Sequence, residues 1–190
     1  MITCIIFGSL AAIVIIAMAY IRFSESAVKK SIEKRIEGPL AVDGKNVTFT
    51  WTEKDWTDVD NNLLAFDEVH NVFLGITAGK KKSDKVDIRV IPVESMTRSE
   101  LVVDGKTLLE ARAGKITGLH PENSLDAYRK NSQRIKSIEL RVRSISGGKI
   151  VPCSPGKYGI NLAEKYHSLL LKAMMAMGTD PITMSRQKKK

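Results

Sequence analysis

The chain has 190 residues, with 30 Lys and Arg against 21 Asp and Glu, a formal charge of +9 and an ordinary apolar fraction of 43%. Two cysteines, Cys4 and Cys153, give no disulfide framework, and no Cys/His spacing resembles a zinc site. The positive excess favours anionic partners or, more plainly, keeps the chain soluble; it carries no information on fold.

Ile2 to Ile21 contain no charged residue, and only Thr3, Ser9 and Tyr20 are appreciably polar. At about 1.5 Å per residue such a run makes a helix about 30 Å long, the thickness of a bilayer core. Residues 1–22 are therefore predicted to be a transmembrane anchor. One rival is a buried helix of a soluble protein, but such a helix normally shows a polar face. The other is a cleaved secretory signal, for which Ala17-Met18-Ala19 has the small-x-small form. Against cleavage stand the length of the run and the absence of Lys or Arg before it. All Lys and Arg lie at or after Arg22, with Lys29, Lys30, Lys34 and Arg35 close behind. Basic flanks stay on the cytoplasmic side, so the expected topology is N-terminus out and domain in the cytoplasm. An exported domain, periplasmic or extracellular, is the alternative.

Residues 23–38 read as an amphipathic helical stalk. Val28, Ile32 and Ile36 form a narrow stripe, and Gly38-Pro39 stops the helix. The stripe suits a spacer or a self-association seam. Residues 39–180 read as one domain, and about 165 residues after the anchor suffice for a real core. Leu40 to Lys45 and Leu101 to Lys106 each centre on Asp-Gly, the signal of a type I′ hairpin. Val47, Phe49 and Trp51 alternate with Thr48 and Thr50 as a half-buried strand does. Residues 58–77 are ambiguous: Val59, Leu63, Phe66, Val69 and Phe73 fit a helical face, whereas 69–77 also fits a strand. Val86 to Val93 alternates as a strand, with Pro92 at its end or on an edge.

Pro121 to Ile135 is predicted helical, with Pro121 and Glu122 in its first turn and Arg129, Lys130 and Arg134 in its last. Ile138 to Ile145 is predicted to be a strand with Glu139, Arg141 and Arg143 on one face. Gly147-Gly148 and Pro152 to Gly159 read as turns. Asn161 is placed as the cap of a final helix to Met177, with His167 on its polar side. Residues 181–190 form a basic, disordered tail. The fold expected is α+β: an N-terminal transmembrane helix, then a domain with a mainly antiparallel sheet and two helices in its C-terminal half. The run of strands closed by a C-terminal helix resembles a pleckstrin-homology-like sandwich, and the helix before Ile138 departs from it.

His70, His120 and His167 show no triad or ligand spacing. Asp58 and Asp60, with Asp55 nearby, lack the spaced oxygen ligands of a cation loop. Gly147-Gly148-Lys149 lacks the rest of a phosphate loop. No cofactor, catalytic residue or small-molecule substrate is indicated. The candidate anion-binding residues are Lys80, Lys81, Lys82, Arg129, Lys130, Arg134, Arg141 and Arg143. The expectation is a single-pass, membrane-tethered interaction domain, non-catalytic, within a membrane or envelope assembly, with a protein partner or a second copy of itself. The first alternative is binding of anionic lipid or non-specific nucleic acid through the basic clusters. The second is an enzyme whose site residues are dispersed.

Overall fold

Residues 63–66 and 72–76 are apolar almost without alternation, and the computed structural model shows both faces of these two segments covered. Residues 15, 16, 18, 25–42, 44–79, 85–112 and 122–177 are described. Residues 15, 16 and 18 are helical, and a helix, α1, is described over residues 25–36. A small hairpin follows, β1 (Leu40–Val42) and β2 (Lys45–Val47). The first large sheet is an antiparallel meander of β3 (Glu53–Trp56), β4 (Leu63–Asp67), β5 (Val72–Thr77) and β6 (Asp87–Pro92). The second contains β7 (Met96–Val103), β8 (Lys106–Arg112), β9 (Ile138–Ser144) and β10 (Gly147–Cys153), in the order β10-β9-β7-β8 and antiparallel throughout. Helix α2 (Glu122–Lys130) lies in the β8–β9 connection, and α3 (Lys157–Met177) ends the described chain. The architecture is thus α+β, with antiparallel sheets and the helices α1, α2 and α3 among the described residues.

Two apolar clusters explain the burial pattern. Leu64, Phe66 and Phe73 of the first sheet point into the larger cluster, with Leu101, Leu140, Val142 and Val151 of the second sheet and Ile160, Tyr166 and Leu170 of α3. Leu63, Ala65, Leu74 and Ile76 point the other way, onto Val28, Ile32 and Ile36 of α1. Within residues 58–77 the chain accordingly forms β4 and β5, joined by a turn over residues 68–71, and the helical reading fails because both sets of alternating side chains of the two strands are buried. The α1 stripe, expected to serve a spacer or a self-association seam, is instead covered by the chain's own sheet, with Ile36 fully buried.

The Asp104-Gly105 turn has φ of 47° and 78°, as a type I′ hairpin demands. Other expectations are corrected. The ladder stops at Val47, since the Thr50 N–H donates to the Asp67 carboxylate and the Trp51 indole donates to Ile36 O. Residues 147–153 form an edge strand rather than a turn, and an edge position is where Pro152 is tolerated. Helix α2 stops at Lys130 and a 3-10 turn follows. Helix α3 starts at Lys157, so Asn161 is inside it, where its side-chain oxygen accepts from Arg129 Nε. Among the described residues no helix is long and apolar enough to cross a membrane. The predicted anchor lies outside them except for Ile15, Ile16 and Met18, which are exposed; the predicted tail lies outside them too.

β10 crosses β5 at Gly75. A Cβ there would stand 2.8 Å from Lys149 Cγ and 3.0 Å from Val151 Cγ2. Lys149 cannot swing aside freely, because its buried ammonium donates to Thr77 Oγ1 at 2.7 Å, Asp87 O at 3.0 Å and Asp87 Oδ2 at 2.6 Å. Gly75→Ala should therefore destabilise the chain by about 1–3 kcal/mol in urea unfolding, as overpacking at a closed contact does. An unchanged midpoint would show that the crossing is slack.

Candidate interaction surface

The outer face of the second sheet collects the charged side chains that its strands alternate outward. The register sets Arg98 opposite Arg143 on β9 and opposite Arg112 on β8, so three arginines from three strands lie in one row. Like charges directly across a ladder repel. The next row supplies the compensation, with Arg141 and Glu110 both opposite Glu100.

Arg98 Nη2 is 2.9 Å from Glu100 Oε1, and its Nε is 2.7 Å from Glu110 Oε1 but out of line for a hydrogen bond. Arg112 Nε donates to Glu110, and Arg143 Nε stands 4.0 Å from Glu100 Oε2. Burial pushes the Glu110 carboxyl up, but the hydrogen bond from Arg112 and the adjacent Arg98 charge outweigh it and hold the group below the usual carboxylate range. Arg141 is closed by Glu139, with Nε and Nη2 each 2.7 Å from Oε2. Four guanidiniums thus meet three carboxylates on this face. The side chains of Arg143 and Arg112 remain 61% and 54% exposed, at the two ends of the row.

The remaining candidates divide. Arg129 bonds Asp126 Oδ1 at 2.9 Å and also pairs with Glu164, which fastens α2 to α3. Lys130 and Arg134 are exposed. Lys80, Lys81 and Lys82 lie outside the described residues. The structure does not gather these groups with Arg141 and Arg143 into one described patch. Arg98 and Arg112 had escaped the reading of the sequence. Counting outward from Asp104-Gly105 without interruption pairs Arg98 with Ala111 and turns Arg112 to the other face. The bulge between Leu101 and Val102 shifts the register by one and brings Arg112 beside Arg98. Both arginines are visible in the sequence; the bulge is not.

The groups able to do chemistry are engaged elsewhere. Cys153 is buried, and burial pushes its thiol up to about 12. Asp55 accepts from Lys165 Nζ at 2.8 Å and lies 3.0 Å from the Tyr166 hydroxyl, drawing α3 against β3. His70 pairs with Asp67 at 2.7 Å, and His120 lies outside the described residues. His167, expected on the polar side of α3, is buried instead, with Nδ1 3.0 Å from Ser99 Oγ. Among the described residues no three metal-ligating side chains come together. No known protein family, curated protein or solved structure matches the chain.

Burial pushes the His167 imidazole down to about 4, against about 6.5 in an unfolded chain. As pH falls through that interval the unfolded chain takes up a proton that the folded chain refuses, so stability declines with falling pH. The full shift amounts to about 3 kcal/mol. Asp87, held low by its bond to Lys149, adds stability that is lost only at lower pH, as its folded carboxylate titrates. Urea unfolding should show a clear loss of stability between about pH 7 and about pH 4.5, and His167→Gln should remove most of it. A variant that keeps the full slope would place its origin in another group.

Proposed function

We propose that the chain is a single-pass membrane-tethered interaction domain, a non-catalytic subunit of a membrane or envelope assembly. One observation carries this reading. The uncharged run of residues 2–21 leads, after only three residues, into a helix whose apolar stripe is buried on the domain. A run of that length and composition prefers hydrocarbon to water. The basic residues that follow it, Arg22, Lys29, Lys30, Lys34 and Arg35, favour a cytoplasmic domain.

In cell fractionation the full chain should stay in the membrane pellet through an alkaline carbonate wash and leave it only with detergent. In mild detergent it should co-purify with a protein partner or with a second copy of itself. Release by carbonate, or a strictly monomeric species with no partner, would end the proposal. Sidedness needs an introduced thiol, because Cys153 is buried. A variant carrying Cys4→Ser and Lys157→Cys should resist membrane-impermeant thiol reagents in intact cells and react once they are opened.

A second reading, binding of anionic lipid or nucleic acid, is favoured by the row of arginines with its two exposed ends. Salt separates it from tethering alone, since phosphate contacts release counterions. Binding of the detergent-solubilised full chain to acidic vesicles or DNA should fall steeply with salt. Arg112→Ala and Arg143→Ala should each lower the salt slope by about one. Arg141→Ala should change it less, since Glu139 holds two nitrogens of that guanidinium and its side chain is less exposed than that of Arg112 or Arg143. Absence of binding at low salt would dispose of this reading.

A further inference from the structure

We infer that one end of the domain, the end at which α1 begins, rests against the bilayer surface, held by a tether too short to let the domain turn over. This rests on residues 2–21 being a membrane span. The inference adds which surface meets the lipid.

Between Ile21 and Glu25, the first described residue of α1, lie only residues 22–24. Whatever path they take, four Cα steps reach at most about 14 Å. The polar headgroup layer on one side of a bilayer already occupies about 5–7 Å. The start of α1 is therefore confined to the immediate neighbourhood of the headgroups.

Helix α1 does not swing on that tether independently of the domain. Its stripe of Val28, Ile32 and Ile36 is buried in the second apolar cluster. Three contacts fix its direction: Lys29 Nζ lies 5.1 Å from the Trp56 ring centre, Glu33 meets Lys54 at 3.8 Å, and Trp51 Nε1 donates to Ile36 O at 3.0 Å. The helix runs antiparallel to β3, and its first turns lie at the Trp56 end of that strand.

Three other elements share that end. Asn61 N–H donates to Ala78 O and Asn61 Nδ2 to Gly79 O, which brings in the end of β5. Thr77 pairs with Asp87, which brings in the start of β6 and Lys85. Tyr158 Oη donates to Trp56 O at 3.1 Å and Ser154 N–H to Thr57 O, which brings in the start of α3. The end surface presents Lys85 and Lys157, both exposed, Tyr158 at 50% exposure and part of Trp56. Lysines with aromatic rings that have one polar edge suit a headgroup layer. Asp58 and Asp60 sit there too, so the tether length, rather than charge, decides the orientation.

The opposite end of the sheet is the β4–β5 turn, with Val69 74% exposed. From the Leu63 end to that turn the strands run about 20 Å, beyond the reach of the tether.

The test uses the full chain with Cys4→Ser, keeping the buried Cys153. A fluorophore is attached at Lys157→Cys or at Val69→Cys, and the protein is reconstituted into vesicles of zwitterionic and anionic phospholipid carrying a headgroup nitroxide. Quenching at position 157 should exceed that at 69 by at least about threefold, as short-range quenching across a layer a few ångström deep implies. A Gly-Ser insertion of about 20 residues after Ile21 should remove most of that contrast. Protein that floats with the vesicles while 69 is quenched as strongly as 157, or while neither is quenched, overturns the orientation and leaves the span standing. A contrast unchanged by the insertion overturns the tether as its cause. Protein that fails to float overturns the span, and the orientation with it.

Discussion

The two central strands of the first sheet, β4 and β5, have no wet face, and most of the molecule follows from that. Leu64, Phe66 and Phe73 need the second sheet and α3; Leu63, Ala65, Leu74 and Ile76 need α1. An antiparallel sheet commonly leaves one side to solvent, and here neither side is spared. Helix α1 is consequently a structural requirement of the domain.

Polar groups inside this frame are arranged to hold the layers in register. Lys149 reaches from β10 to Thr77 and Asp87, Tyr166 bonds across to β3 and β4, and Arg129 joins α2 to α3. Each joins segments far apart in sequence, which an apolar contact alone would do with less geometric discrimination. The outer arginine row differs. Its carboxylates sit toward the centre, while Arg143 of β9 and Arg112 of β8, at the two ends of the row, keep more than half of their side-chain surface exposed.

The legible parts of the sequence were those in which one residue type has one physical meaning. Asp104-Gly105 requires positive φ, and the hairpin is there. Leu140 and Val142 alternate with Arg141 and Arg143 because β9 has one dry and one wet face. Legibility failed where two partners compete for one segment. Residues 63–66 and 72–76 lost their alternation to double-sided burial. His167 follows a helical stripe that is wider than leucines and methionines alone suggest, because Ser99 offers its ring nitrogen a partner inside the core. β10 hid behind Gly147, Gly148 and Pro152, residues that usually mark turns, although the edge position removes the objection to Pro152. On the candidate surface, Arg141 and Arg143 could be read directly, but a single bulge concealed that Arg98 and Arg112 complete their row.

The closure of the first sheet by a helix at the chain's beginning bears on how the protein can be handled. Cutting just before Leu40 to obtain a convenient soluble fragment would strip the cover from Leu63, Ala65, Leu74 and Ile76 together. The bared patch, rich in aliphatic side chains and built on paired strands, is the kind of surface on which proteins precipitate or stack. A workable fragment has to begin upstream of Val28, and a protease that trims this helix in the cell would convert a folded domain into an aggregation seed.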